Sequence, residues 1–173
     1  MTSLQVRTAR PDEFEALGEL TVAAYAAVDP ATMGDDYADE LRDVAGRAAG
    51  AEVLVAVDDE RDGRGFVLGG VTYVGDAASP AAKFTDPDAA GIRMLAVAPE
   101  ARGRGVGEAL TRACIERARS TGRAQVVLHS TDRMTAAHRL YRRLGFVRDP
   151  SLDWEVEPGF WLRGFRLRLD RSF

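Results

Sequence analysis

Three glycines at alternate positions, in Arg102-Gly103-Arg104-Gly105-Val106-Gly107, join the apolar run 92–98 to a segment of helical periodicity, 105–120. Glycines between a strand and a helix let main-chain amides close on an anion, and the helix N-terminus adds partial positive charge at the same point. A phosphate is the natural guest. Arg102 and Arg104 can add charge-assisted hydrogen bonds, and Gly107 keeps the first helical turn free of a side chain. Ordinary turns also produce such a triplet, so the loop alone leaves ligand binding and plain turn chemistry both open.

The flanking pattern places this unit late in an α/β chain. Residues 4–8 alternate like a half-buried strand, and Pro11, Asp12 and Glu13 then suit the start of a helix over 11–27 that ends at Asp29-Pro30. A second helix is predicted over 35–49, with Tyr37, Leu41, Val44 and Ala48 on one side. The runs 52–57 and 66–74 read as a hairpin around a polar turn at 58–65, and 75–91 as a mobile loop facing whatever the protein acts upon. After the strand 92–98 and the glycine loop with its helix come a buried strand at 125–129 and a helix from Asp132 to Leu144, stopped by Gly145. A strand starts at Phe146, a connection fills 149–159, and the chain closes on an alternating strand at 161–169. These elements predict one domain, 1–173, with a mixed central sheet of six to seven strands flanked by about four helices.

A net charge of -4 and a pI near 5.3 argue against a general nucleic-acid or membrane-surface partner. No apolar run reaches the length of a spanning helix and Met1-Thr2-Ser3-Leu4 lacks leader character, so a cytoplasmic protein is expected. Cys114 is alone, which rules out an internal disulfide and a cysteine-zinc cluster; with only His129 and His138 as imidazoles, no metal site is expected.

Nucleotide-binding loops differ in residue identity. No Gly-Lys-Ser/Thr follows the triplet, which excludes the NTPase P-loop, and a dinucleotide fold would place the loop after its first strand. The segment Ile92-Arg93-Met94-Leu95-Ala96-Val97-Ala98-Pro99 with Arg102-Gly103-Arg104-Gly105-Val106-Gly107 resembles the coenzyme A motif of the GCN5-related N-acetyltransferases. Met134, Ala137, Leu140-Tyr141 and Leu144-Gly145-Phe146 are similar to that family's second signature, one helix and strand downstream.

The resemblance implies the acyl-CoA N-acyltransferase fold and direct transfer of acetyl from acetyl-CoA to an amine across a gap where two parallel strands, 92–98 and 125–129, splay. Main-chain groups of Leu95, Ala96 and Val97 are then expected to hold the thioester and pantetheine arm, and the amides of Arg102, Gly103, Arg104, Gly105, Val106 and Gly107 the pyrophosphate. Tyr141 stands at the family's general-acid position, where a phenol protonates the departing thiolate; it also belongs to an apolar stripe with Ala137, Leu140 and Leu144. Met134 replaces an asparagine common in relatives. Relatives often carry a glutamate where this chain has Gly91, which leaves Asp86, Asp88, Glu52 or a water chain to take the ammonium proton.

Other residues are open to both structural and functional readings. His129 could relay a proton or be a hydrogen-bonded structural group, and His138 reads as packing or as near the cofactor. Cys114 reads as an inert buried thiol, Trp154, Phe160 and Trp161 as acceptor pocket, core or dimer contact, and Arg139, Arg142 and Arg143 as a solvated face or, as a lesser reading, a contact for the 3′-phosphate of CoA. The expected acceptor is a primary amine on a small molecule or a protein N-terminus, the expected assembly a monomer or homodimer, and the alternative function a CoA-binding module without catalysis.

Overall fold

The computed structural model describes residues 4–58 and 66–169. The strands are β1 (Gln5–Thr8), β2 (Glu52–Val57), β3 (Val67–Val74), β4 (Ala89–Val97), β5 (Gln125–Ser130), β6 (Val147–Arg148), β7 (Trp154–Glu157) and β8 (Phe160–Arg168). The α-helices are α1 (Phe14–Val28), α2 (Asp35–Arg42), α3 (Val44–Gly50), α4 (Val106–Ser120) and α5 (Thr135–Arg143). The strands form one sheet in the order β1-β2-β3-β4-β5-β8-β6, with β7 bonded to β8. Among the described residues β4 and β5 are the one parallel pair, as the crossover through α4 requires.

Strand β2 shows why its sequence is apolar throughout: helices cover both faces of the sheet. Val53, Val55 and Val57 pack with Leu17 of α1 and Val44 of α3, whereas Leu54 and Ala56 join Leu110, Cys114 and Ala118 of α4 on the other face. Side chains that alternate across the pleat thus feed two cores. Leu41, Leu54, Leu110 and Phe165 are among the fully buried side chains.

The mixed α/β sheet predicted from sequence is present, with differences in detail. The expected second helix is two, because the Asp43 carboxylate accepts from the Gly46 amide at 2.9 Å and starts α3 afresh. The expected connection 149–159 contains β7, and β4 begins at Ala89, three residues before the expected strand. From residue 59 onward the expected turn 58–65 lies outside the described residues.

Candidate active site

The gap expected between β4 and β5 has a local cause. Pairing of β4 with β5 runs from Ala89 opposite Gln125 to Ile92 opposite Leu128 and ends there. On its other edge β4 pairs Arg93 with Thr72 and Ala96 with Gly70, so Met94 and Leu95 together oppose Val71. This extra residue is a β-bulge, and Met94 adopts φ 55°, the one positive φ outside glycine among the described residues. A bulge bends its strand. Beyond Ile92, β4 turns away from β5 and its β5-facing edge has no strand partner through Val97, which leaves main-chain groups of Leu95, Ala96 and Val97 open to a ligand. Holding methionine in this conformation costs about 1–3 kcal/mol, a strain of the kind concentrated at functional sites.

At its C-terminal end β4 delivers the chain to the glycine loop. Gly103 and Gly105 both have φ +79°, and a Cβ built on either meets nothing within 4 Å, so conformation rather than crowding demands glycine. Helix α4 begins without a side-chain cap. The amides of Val106, Gly107 and Glu108 therefore have no intrahelical partner, and the loop offers unfilled donors and the positive end of the helix dipole together. The side chains of Ala96 and Val106 are buried, leaving only their main chain for a ligand. Arg102 is exposed, and Arg104 leans toward Asp58 at 3.5 Å. Gly107 serves close packing: a Cβ there would sit 3.3 Å from Leu140 Cδ2 and 3.6 Å from Val97 Cγ2.

Tyr141 lies on α5 with only 5% of its surface exposed, its ring 5.6 Å from that of Phe146 and 6.0 Å from that of Phe165. Its hydroxyl makes no side-chain hydrogen bond among the described residues. Burial raises its pKa above that of a free phenol, and the nearby Cys114 adds to the shift. Cys114 is itself buried, its thiol pushed up to about 12 by desolvation. The residue thus packs as the apolar stripe predicted and stays protonated.

At the splay a cavity of about 470 Å³ opens. Helices α1 and α2 contribute Tyr25, Tyr37 and Glu40, the strands contribute Arg93, Met94, His129 and Ser130, and the β7–β8 hairpin contributes Trp154, Glu157 and Phe160. Met134 lines it too; Tyr141 does not reach its wall. Arg93 stands 3.7 Å from Glu40 and donates to the Ala81 carbonyl at 3.2 Å. Lys83 lies over the Trp154 ring, 5.4 Å from its centroid.

His129 Nε2 donates to the Leu152 carbonyl at 2.8 Å, and burial lowers its pKa, which favours the neutral ring. The His138 Nε2 and Ser130 Oγ share a hydrogen bond at 3.1 Å, and burial lowers this pKa as well. Trp161 lies under Arg163 rather than on the cavity wall, and Arg139, Arg142 and Arg143 are exposed.

The acids named from sequence are elsewhere. Asp86 accepts from the Gln125 amide and Asp88 sits beside it, at the far end of β4 from the gap. Glu52 is committed to Arg117 at 2.9 Å and Thr8 at 3.1 Å. At Gly91 a Cβ would lie 2.5 Å from Phe84 Cε1, so the ring fills the place an acid would take. Glu40 and Arg93 were not singled out by sequence because they lie far apart in the chain and no motif links them.

The sequence model of the Acetyltransferase (GNAT) family matches residues 14–146. The chain is similar to mycothiol acetyltransferases from Thermobispora bispora, 44% identical over 66 residues, and from Streptosporangium roseum, 39% identical over 66 residues. Each match covers 38% of this chain but only 21% and 18% of those proteins, so the chain spans about a fifth of their length. Among solved structures, a GNAT-family acetyltransferase from Staphylococcus aureus Mu50 aligns with a TM-score of 0.74 at 14% identity over 97% of this chain and 100% of that one. A GCN5-related N-acetyltransferase from Kribbella flavida gives 0.66 at 24% identity over 96% and 98%. A candidate acetyltransferase from Salmonella typhimurium, solved with its cofactor acetyl-CoA, gives 0.65 at 22% over 99% and 96%. At these identities the structures speak for the fold.

Proposed function

The chain belongs to the GNAT acetyltransferase family, and on that premise we propose that it is one catalytic domain, 1–173, that transfers acetyl from acetyl-CoA to a primary amine of a small molecule or protein N-terminus. The observation that carries this reading is the bulged β4 with an unpartnered edge, leading into two left-handed glycines and an uncapped helix N-terminus. Acetyl-CoA brings an activated thioester and a pyrophosphate; the latter suits the amides from Arg102 to Gly107, and the pantetheine amides suit the edge from Leu95 to Val97.

The β4–β5 gap then lets an amine in the 470 Å³ cavity meet the acyl carbon from the opposite side. The bound ammonium first gives one proton to water at the cavity mouth; the neutral amine then forms the C–N bond as the C–S bond breaks, and its second proton leaves by the same route. Tyr141 gives its phenolic proton to the thiolate and regains one from solvent. The setting proposed is cytoplasmic; no helix among the described residues is long and apolar enough to cross a membrane.

The test is thiol release from acetyl-CoA with a panel of amines, paired with mass detection of the N-acetyl product. Product in equal amount to free thiol is expected. Acetyl-CoA binding without transfer to any amine would instead support a CoA-binding module.

A further inference from the structure

The acceptor cavity carries both signs of charge in one arrangement. Glu40 reaches in from α2 and Arg93 from β4, at 3.7 Å, with 55% and 21% of their side chains exposed. That is well beyond the roughly 2.7–2.9 Å of a committed charge-assisted bond. Among the described residues the guanidinium's other bond is to the Ala81 carbonyl, so most of its donors remain available to a ligand. Lys83 has no ion pair among the described residues and rests on the Trp154 ring. Aromatic side chains, Tyr25, Tyr37 and Phe160, fill much of the remaining wall.

Resting on the acetyl-transfer reading above, we propose that the acceptor is an amine that also carries a carboxylate, in the manner of an apolar amino acid: Arg93, helped by Lys83, binds the carboxylate, and Glu40 receives the ammonium. Charge exchange favours such an acceptor. A simple cation docking on Glu40 takes away the partner of Arg93 and leaves a guanidinium facing it in a half-enclosed cavity, an arrangement that costs desolvation without compensation. A zwitterion inserted between the two replaces each partner with another of the same sign. Arg93 can hold a carboxylate through two parallel N–H bonds, which orients the amine as well as binding it. Arg93 is here a binding residue and takes no part in proton transfer.

The experiment measures kcat/KM by thiol release for leucine, methionine and phenylalanine, for their amides, and for the matching decarboxylated amines. The expected result is a preference of at least tenfold for the acids over both sets. Arg93→Gln should reduce the preference below about threefold by abolishing the bidentate contact, whereas Arg93→Lys should retain part of it. Unchanged acetyl-CoA binding in each variant shows that the fold is kept. Amides or decarboxylated amines used as well as the acids overturn the inference, as does a preference that survives in Arg93→Gln. Acetylation of spermidine or a peptide N-terminus with no amino acid accepted sinks this inference alone, and no transfer to any amine sinks the acetyl-transfer reading with it.

Discussion

Replacing Gly105 by alanine separates the cost of a conformation from the loss of a ligand site. Gly105 has φ +79° and a built Cβ meets nothing within 4 Å, so the substitution meets no steric obstacle and its cost is that of the left-handed backbone alone. That cost is about 1–2 kcal/mol for a residue with a Cβ. For a chain of this size it corresponds to a melting temperature lower by roughly 2–8 °C. Gly122, just past the C-terminal end of α4, is the matched control: φ +75°, with nothing within 4 Å of its Cβ. Both variants should lose similar stability in thermal unfolding. Calorimetric titration should show acetyl-CoA affinity at least about tenfold weaker for Gly105→Ala, because relaxing the strained φ turns the loop amides off the pyrophosphate; Gly122→Ala should bind normally. Equal affinities in the two variants would refute the assignment of the loop.

Tyr141→Phe should lower turnover by about a hundredfold or more if the phenol is the acid. It should not lower the melting temperature, because the hydroxyl has no hydrogen bond among the described residues to lose; a stability loss with unchanged turnover would leave only the packing role. His129 and His138 have pKa values lowered by burial from 6.5, so the unfolded chain takes up protons first as the pH falls through about 6.5. Stability is therefore held above that pH and declines below it, and urea unfolding at about pH 7.5 and about pH 5.5 should show a gap that His129→Gln narrows; an unaltered gap would contradict the assignment. Arg148 beside Asp153 holds that carboxyl down to about 2, so its stabilising share is present above about pH 4 and lost as the pH falls toward 2. Asp153→Ala, which removes bonds to Arg148 at 2.5 Å and the Gly164 amide at 2.9 Å, should cost about 2 kcal/mol by urea unfolding, and a cost near zero would show the hairpin to be anchored otherwise.

What sequence reading located was local. A left-handed glycine must appear as glycine, and an amphipathic helix shows its period, so the loop, α4 and the stripe through Leu140 and Tyr141 were legible. Two misread elements left signals that were present but outweighed. Asp43 three residues before Gly46 is a cap pattern inside an apparently continuous helix, and Trp154-Glu155-Val156-Glu157 before Pro158-Gly159 alternates as a hairpin arm does, though its prolines suggested a connection. The bulge at Met94 had no such signal, since methionine does not advertise a positive φ. Nor did the meeting of Glu40 with Arg93, or of Phe84 with Gly91, which arise from how the first helices and the loop before β4 fold over the sheet. The glycine loop proposed for the donor thus rests on contiguous residues, while the cavity proposed for the acceptor is assembled from segments that only the tertiary fold brings together.

The most direct test of the central claim is a calorimetric titration of the unmodified chain with acetyl-CoA and, separately, with dephospho-CoA and pantetheine. Micromolar binding of one acetyl-CoA per chain, retained by dephospho-CoA and largely lost by pantetheine, which lacks the pyrophosphate, is the result predicted by a site built on the loop from Arg102 to Gly107. No binding of acetyl-CoA, or pantetheine bound as tightly, would contradict it.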